Sequence, residues 1–471
     1  MFDTTYPRNS DEWWLRRLHA QIDAKPTPTP NAVRESRRMH RGRRQWMDIL
    51  WSYRTGEPPL RSNDRNRRDD VREFLRLGRA NYAGLSVQSM LDIITLDGIR
   101  TAGDADADGD DAFREILANS GTWLADALDF SFTMGEGYVM VGQRDGRAVI
   151  TAEDPRGCVV ETDPLDPLHV RAGLKVYTDR VDDSVHAHLF VGDLGEERVR
   201  VAVRARTGGW EWDDSRSGSL PFQGHGLPLV PIQNKLGLGE FEPHLDVLDR
   251  INNMISDRLW LTKIQAFRQR ALIPKDEGSG QLADVDPETG REVDVNKIFE
   301  SAPDALWEMP PGWTIWESTP MDLRPILEAT RDDVREFSTV SGTPINISAS
   351  DNVNQSGAGA RNARSMLTDK ARDRMMRATP AVRRIARLAL AADNKADLAN
   401  TPVEVMWAPI DMESMDMRGQ AAVSAKAVGV PWEIVLSDFL KLTPDTIARA
   451  KKQRVEDLMY EGLSGGADDQ S

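Results

Sequence analysis

In the first 130 positions apolar residues recur every three to four places, the spacing of amphipathic helices. Trp14, Leu15, Leu18 and Ile22 form one stripe. It follows Ser10 or Asp11, either of which suits an N-cap, and stops before Pro26-Thr27-Pro28-Thr29-Pro30. A second helix is predicted over 31–51 and closed by Gly56, Pro58 and Pro59. Leu75, Tyr82, Leu85, Val87, Met90, Leu91 and Ile94 predict a third from 74 to 99, ending in the strand-like Gly98-Ile99-Arg100. Phe113, Ile116, Leu117, Leu124 and Leu128 predict a fourth over 112–128.

The period then changes to two. Residues 138–150 alternate around Asp145-Gly146, a strong hairpin signal, and shorter runs follow at 158–162, 171–178, 186–191, 198–206 and 210–212. These predict an antiparallel sheet, closed by the Pro-bounded segment 227–234. A long helix is predicted over 243–270, with Leu245, Leu248, Ile251, Ile255 and Leu259 in one stripe along a rod of roughly 40 Å. Residues 271–319 read as an irregular insertion, and Leu323, Ile326, Leu327, Val334 and Phe337 mark a second rod over 321–341. A rod with one narrow apolar stripe needs a neighbour along its length, either another helix of the chain or one from a second copy. Residues 345–360 are small and polar without period, which predicts a loop. A basic helix over 361–395 follows, which Pro380 is expected to kink or split. A strand at 403–407 and helices at 419–429, 432–440 and 444–460 complete the pattern.

Length and composition narrow the class. At 471 residues the chain predicts about two to four domains. With 40% apolar and 29% charged residues it is a folding chain. Its net charge of −15 argues against a protein that coats nucleic acid by neutralising phosphates. The charge is uneven. Residues 1–80 hold 18 Lys and Arg against 11 Asp and Glu, and residues 361–395 hold ten against three. Cys158 is the sole cysteine, so neither an intrachain disulfide nor a thiolate zinc site is available. No run approaches the ~20 apolar residues that cross a bilayer, so the expected setting is cytosolic, without a membrane partner.

Asp104, Asp106, Asp108, Gly109 and Glu115 match the calcium-loop pattern D-x-D-x-D-G-x5-E. Asp111 stands where an aliphatic residue is usual, and a strand rather than a helix precedes the loop, so the run reads as an acidic cap on an ordinary helix. His186 and His188, at i and i+2 of one strand, suit a metal in principle; without further ligands nearby they read as paired surface imidazoles. The phosphate-loop, nucleophile-elbow and H-E-x-x-H patterns are absent. No catalytic residue, metal or cofactor is predicted.

The order of these features resembles the portal proteins of tailed bacteriophages, of the siphophage type. The resemblance rests on Tyr53 and Gly56 after the N-terminal helices; on 126–141 entering the sheet; and on Pro228, Pro231 and Asn234 as P-x-x-P-x-x-N. It continues with Asp249-Arg250-Ile251-Asn252-Asn253 opening the first rod, the return from Trp313 to Arg324, and Gly342-Thr343-Pro344 followed by Asn354-Gln355-Ser356-Gly357 and Ala360-Arg361. It implies an α+β portal-protein fold. The parts would be an N-terminal helical arm (1–80), an α/β wing with an antiparallel sheet (81–240), stem helix 1 (241–271) and a clip (272–320). Stem helix 2 (321–344), a tunnel loop with the long basic helix (345–395), and a wing strand with C-terminal crown helices (396–471) would follow.

The resemblance further implies a homo-oligomeric ring, a dodecamer in the virion, at one capsid vertex. Double-stranded DNA would pass through it in packaging and ejection, and the assembly would form in the bacterial cytoplasm. Its implied partners are the terminase large subunit, the head-tail adaptor, and the major capsid and scaffold proteins. Asn346, Ser348, Ser350, Asn352, Asn354, Gln355 and Ser356 are then the candidates for a channel-facing loop, with Gly357 and Gly359 giving it freedom. Arg361, Arg364, Lys370, Arg372 and Arg374 would meet DNA or pair with a neighbour's acids. Trp307, Trp313 and Trp316 are candidates for the partner-facing clip surface or for the clip's own small core. The competing readings are a metal-dependent hydrolase or calcium-binding protein built on 104–115, or another minor virion structural protein.

Overall fold

The computed structural model describes residues 6–25, 41–60, 69–101, 108–192, 195–205, 208–266, 270–274, 313–317, 319, 322–345, 357–410, 415–440, 442, 446–447 and 449–454. They form two compact units, one of residues 1–92 and 98–405, the other of 93–97 and 406–471.

Helix α1 (Asp11–Ile22) starts where the sequence places it. The Ser10 hydroxyl accepts the Trp13 N–H at 3.3 Å, and Asp11 and Glu12 lie in the first turn, where the helix dipole favours anions. Leu15, Leu18 and Ile22 are buried against the five-stranded sheet described below. Helices α2 (Arg43–Arg54), α3 (Asp69–Arg76) and α4 (Tyr82–Leu91) come next. The expected single helix over 74–99 is thus two, because Asn81 caps a fresh start: its Oδ1 accepts the Gly84 N–H at 2.8 Å. Strand β1 (Leu96–Thr101) leads toward α5 (Asp108–Ser120) and α6 (Trp123–Met134). The single helix expected over 112–128 is likewise divided at Gly121, whose φ of +65° a side-chain-bearing residue rarely adopts.

Strands β2 (Glu136–Arg144) and β3 (Arg147–Glu153) form the hairpin expected at Asp145-Gly146, where φ is +53° and +76°, as a type I′ turn requires. Strands β4 (Cys158–Thr162), β5 (Val170–Thr178), β6 (Val185–Val191), β7 (Arg198–Arg204) and β8 (Glu211–Ser219) make an antiparallel five-stranded sheet in sequence order. The next strand, β9 (Leu229–Gln233), does not join it. It returns to β2 with Met140 opposite Leu229, giving a second sheet of order β3-β2-β9. The single sheet of the sequence reading is therefore two, since local alternation carries no information about which strands pair.

A 3-10 turn at Glu242–His244 opens α7 (Leu245–Ala266), the first long rod, and Arg270 already belongs to strand β10 (Arg270–Pro274). Strand β10 pairs antiparallel with β11 (Trp313–Glu317), Arg270 opposite Glu317, so the insertion expected to be irregular begins and ends in a ribbon. The second rod, α8 (Arg324–Ser341), starts with Pro325 in its first turn, where a missing N–H costs nothing, and packs along α7.

Helix α9 spans Gly357–Ala392. This corrects two expectations. Gly357 and Gly359 belong to its first turn rather than to the loop, and Pro380 does not split the helix, which runs through it. The proline removes a single backbone donor, while Ala378, Val382, Ile385, Ala386, Leu388 and Ala389 on either side are buried, and the helix packs on β2, β3 and β9. Apolar burial of that extent outweighs one lost hydrogen bond. Helix α10 (Ala396–Ala399) and strand β12 (Val403–Trp407) follow.

In the second unit the Ala408 N–H donates to Thr95 O at 2.9 Å. Helices α11 (Met415–Ala427) and α12 (Trp432–Ile434), the latter continued by a π turn over Val435–Phe439, share a small core of Ala422, Ala425 and Val435.

Candidate functional site

The roots of α7 and α8 meet the N-terminal half of α9 around one buried carboxylate. Glu240 has 1% of its side chain exposed. It accepts from Arg374 Nε at 2.6 Å and Nη2 at 3.2 Å, from Asn234 Nδ2 at 3.0 Å, and pairs with Lys370 Nζ at 2.7 Å. The Lys370 ammonium also donates to Ser341 O at 2.9 Å, the last residue of α8. One lysine on α9 therefore touches both the approach to α7 and the end of α8. Burial pushes the Glu240 carboxyl up, but hydrogen bonds and charge from Arg374 and Lys370 outweigh it and hold it below its ordinary range.

The rest of the junction uses the residues on which the resemblance rests. Tyr53 donates to Asp249, and Asn252 Oδ1 accepts the Ala80 N–H at 2.9 Å. Arg250 pairs with Asp333 at 3.0 Å and with Glu336 on α8. Trp46 Nε1 donates to Glu242 Oε1 at 2.8 Å. Asn234 also donates to Leu238 O at 2.8 Å, and the Thr343 hydroxyl lies 3.0 Å from that of Ser86. These contacts hold elements together.

The basic helix is corrected in part. Arg374 and Lys370 are spent on Glu240 within the chain, since a buried carboxylate without cations would carry a large desolvation cost. Arg372 pairs with Asp369 one turn away at 3.2 Å. Arg361 and Arg364 lie in the first turns of α9. The loop candidates Asn346, Ser348, Ser350, Asn352, Asn354, Gln355 and Ser356 lie outside the described residues, as does Trp307. Trp313 and Trp316 are both in β11, opposite Pro274 and Ala271, and Trp316 is 50% exposed.

Asp104 and Asp106 of the acidic loop also lie outside the described residues. Asp108 opens α5, and Glu115 within it faces Arg147 at 3.8 Å. His186 is not a surface imidazole: it is buried and stacked on Tyr177 at 5.3 Å. His188 is pushed down to about 4 by burial and by neighbouring Lys175. Asp179, Asp182 and His186 bring ligand atoms within 4.8 Å of one another, but His186 Nε2 already meets Ser184 Oγ at 2.8 Å, and the Arg216 guanidinium faces Nδ1 at 3.5 Å. A fixed cation there opposes a metal. Among the described residues no helix is long and apolar enough to cross a membrane.

Glu240 itself carried no signal in the sequence, because its two cations lie about 130 residues away and nothing local distinguishes it from the chain's other acids.

No curated protein matches the chain. Among solved structures, a chain in the neck of an empty GTA particle computed with C6 symmetry is 13% identical, with a TM-score of 0.43, over 80% of this chain and 91% of that one. A chain in the virion of a native gene transfer agent (GTA) particle is 14% identical at 0.41, over 80% and 95%. One in the neck of a native GTA particle computed with C12 symmetry is 15% identical at 0.43, over 80% and 94%. The family model for phage portal proteins of the SPP1 Gp6-like type matches residues 47–458. That span holds the Tyr53–Asp249 contact, both rods and α9 alike, and the chain belongs to the SPP1 Gp6-like phage portal protein family.

Proposed function

We propose that the chain is the subunit of a ring at one vertex of a phage capsid, through which double-stranded DNA is packaged and later released. The observation that carries this reading is the incomplete cover of the two rods. Near the root Leu245, Leu248 and Ile251 of α7 and Val334 and Phe337 of α8 are buried. Toward the far end Ile255, Leu259, Ile326 and Leu327 are only half-buried, and Trp260 is 41% exposed. A helix pair that its own chain leaves half-covered is stabilised by copies of itself on either side, and head-to-tail repetition of one contact closes into a ring.

In this reading the two sheets and their helices are the wing, α7 and α8 the stem, the β10–β11 ribbon and the residues between its strands the clip, and the second unit the crown. The 346–356 loop faces the channel, where Asn, Ser and Gln touch the duplex through weak, exchangeable hydrogen bonds. Phosphate neutralisation by cations would instead hold the DNA in place, and the chain's surplus of acids avoids it. The clip, with Trp316 exposed, is the docking surface for the terminase large subunit and then for the head-tail adaptor. Major capsid and scaffold proteins contact the outer ring. The role is structural, with no catalytic residue, cofactor or metal assigned. Electron-microscope images of the purified chain, viewed down the particle axis, should show a ring with a central hole. A compact monomer at assembly concentrations would sink the reading.

A further inference from the structure

A cavity of about 500 Å³ opens beside the Glu240 cluster, between the turn at Lys235–Gly237, the end of α8 and the face of α9. Three of its lining residues are large and apolar yet exposed: Leu236 at 83%, Val340 at 48% and Met366 at 48%. Leu236 is also held at φ +59°, in the left-handed region that disfavours a leucine. Deeper in the wall, Asn234 Oδ1 and Ser341 Oγ are buried without a hydrogen-bond partner among the described residues. Lys235 on the rim is exposed and makes no ion pair among the described residues. A strained leucine pushed into solvent, two unsatisfied buried oxygens and a free cation describe a surface from which something is missing.

The same chain carries a matching surface elsewhere. Glu73, exposed on α3, and Leu77, 67% exposed just past its end, are four residues apart and flank the exposed Arg76. The carboxylate complements Lys235, the leucine the apolar rim, and the guanidinium supplies the kind of donor that Asn234 Oδ1 and Ser341 Oγ lack. The two surfaces lie on different sides of α7. Asn252 and Trp260, eight residues apart, meet the 74–80 segment through Ala80 and Phe74, whereas Arg250 meets α8. Arg250 and Asn252 point about 160° apart around a helix. A plug on one flank and a socket on the other is what a head-to-tail contact between copies requires.

We propose that the groove rimmed by Leu236, Val340 and Met366 is the socket of the interface between neighbouring subunits, filled by the 73–77 turn of the next copy with Glu73 against Lys235. This rests on the ring reading and names its contact. The test is disulfide trapping in the full chain carrying Leu77→Cys and Leu236→Cys together; Cys158, the sole native cysteine, is buried. Mild oxidation should remove the monomer band on a non-reducing gel and produce a ladder of covalent multimers, which neither single variant forms. Rings by electron microscopy with no ladder would overturn the socket alone, whereas a wild-type chain that forms no ring overturns the ring reading and the socket with it. As a second readout, Glu73→Lys and Lys235→Glu should each lower the assembled fraction in sedimentation, and the two together should restore it. Singles that assemble like wild type, or a pair that fails to recover while both singles fold, would count against the contact.

Discussion

Lys370 Nζ sits 2.7 Å from Glu240 Oε2 and 2.9 Å from Ser341 O, joining α9 to the root of one rod and the end of the other. With Arg374 on the same carboxylate, two cations share one acid at nearly complete burial. A cluster of this kind adds little net stability over an apolar replacement, but it fixes geometry, because removing Glu240 leaves two buried cations without their acid and removing either cation strips the buried carboxylate of one of its partners.

Replacing Arg374 by Met should therefore destabilise the chain by about 3–5 kcal/mol, the usual cost of breaking a buried pair. Replacing Glu240, Lys370 and Arg374 together by apolar residues of similar volume should cost less than that single change. Urea unfolding of the three chains gives the comparison, and additive losses would contradict the account.

Acid should release the same cluster. Glu240 is held below its ordinary range in the folded state, so its contribution is present above the unfolded carboxyl's range and is lost as pH falls through the lower folded value. Glu197 acts in the same sense: its carboxylate accepts the Gly195, Gly224 and Gly226 N–H groups at 2.9–3.0 Å and is held low by them against the effect of burial. Stability followed by circular dichroism should decline on the acid side, and Glu240→Gln should flatten that decline while lowering the neutral plateau.

Shortening the 346–356 loop should leave rings intact and impair packaging or retention of DNA. Counting full against empty particles measures the second effect. If the shortened chain fails to form rings, the loop serves assembly instead of the channel.

Trp316→Ala should shift the unfolding midpoint little, within about 0.5 kcal/mol, because the side chain is half exposed on a two-stranded ribbon. Binding of the head-tail adaptor to rings carrying the change should weaken. A large loss of stability would place Trp316 in the clip's own core.

Much of the architecture was legible from period alone. The stripe of α1 with its Ser10 cap, the Asp145-Gly146 hairpin, the strand at Val403–Trp407 and the two rods around an insertion all follow from the spacing of apolar residues and from local backbone chemistry. Those signals act within a few residues, so a sequence carries them directly. The resemblance motifs were legible as well, though their purpose was not: that Tyr53 meets Asp249, or Asn252 meets Ala80, is a fact about residues 172 to 196 positions apart.

What the sequence by itself determined, then, is the kinds of elements, their order and the family to which that order belongs. The tertiary structure alone decided that β9 leaves the larger sheet for β2, that Pro380 stays within one helix, and that Glu240 gathers the cations which on the sequence alone faced outward to DNA or a neighbour. The physical reason is the same in each case. Strand pairing, helix continuity past a proline and the fate of a charge are settled by desolvation and packing between distant segments, and neither leaves a local pattern to read.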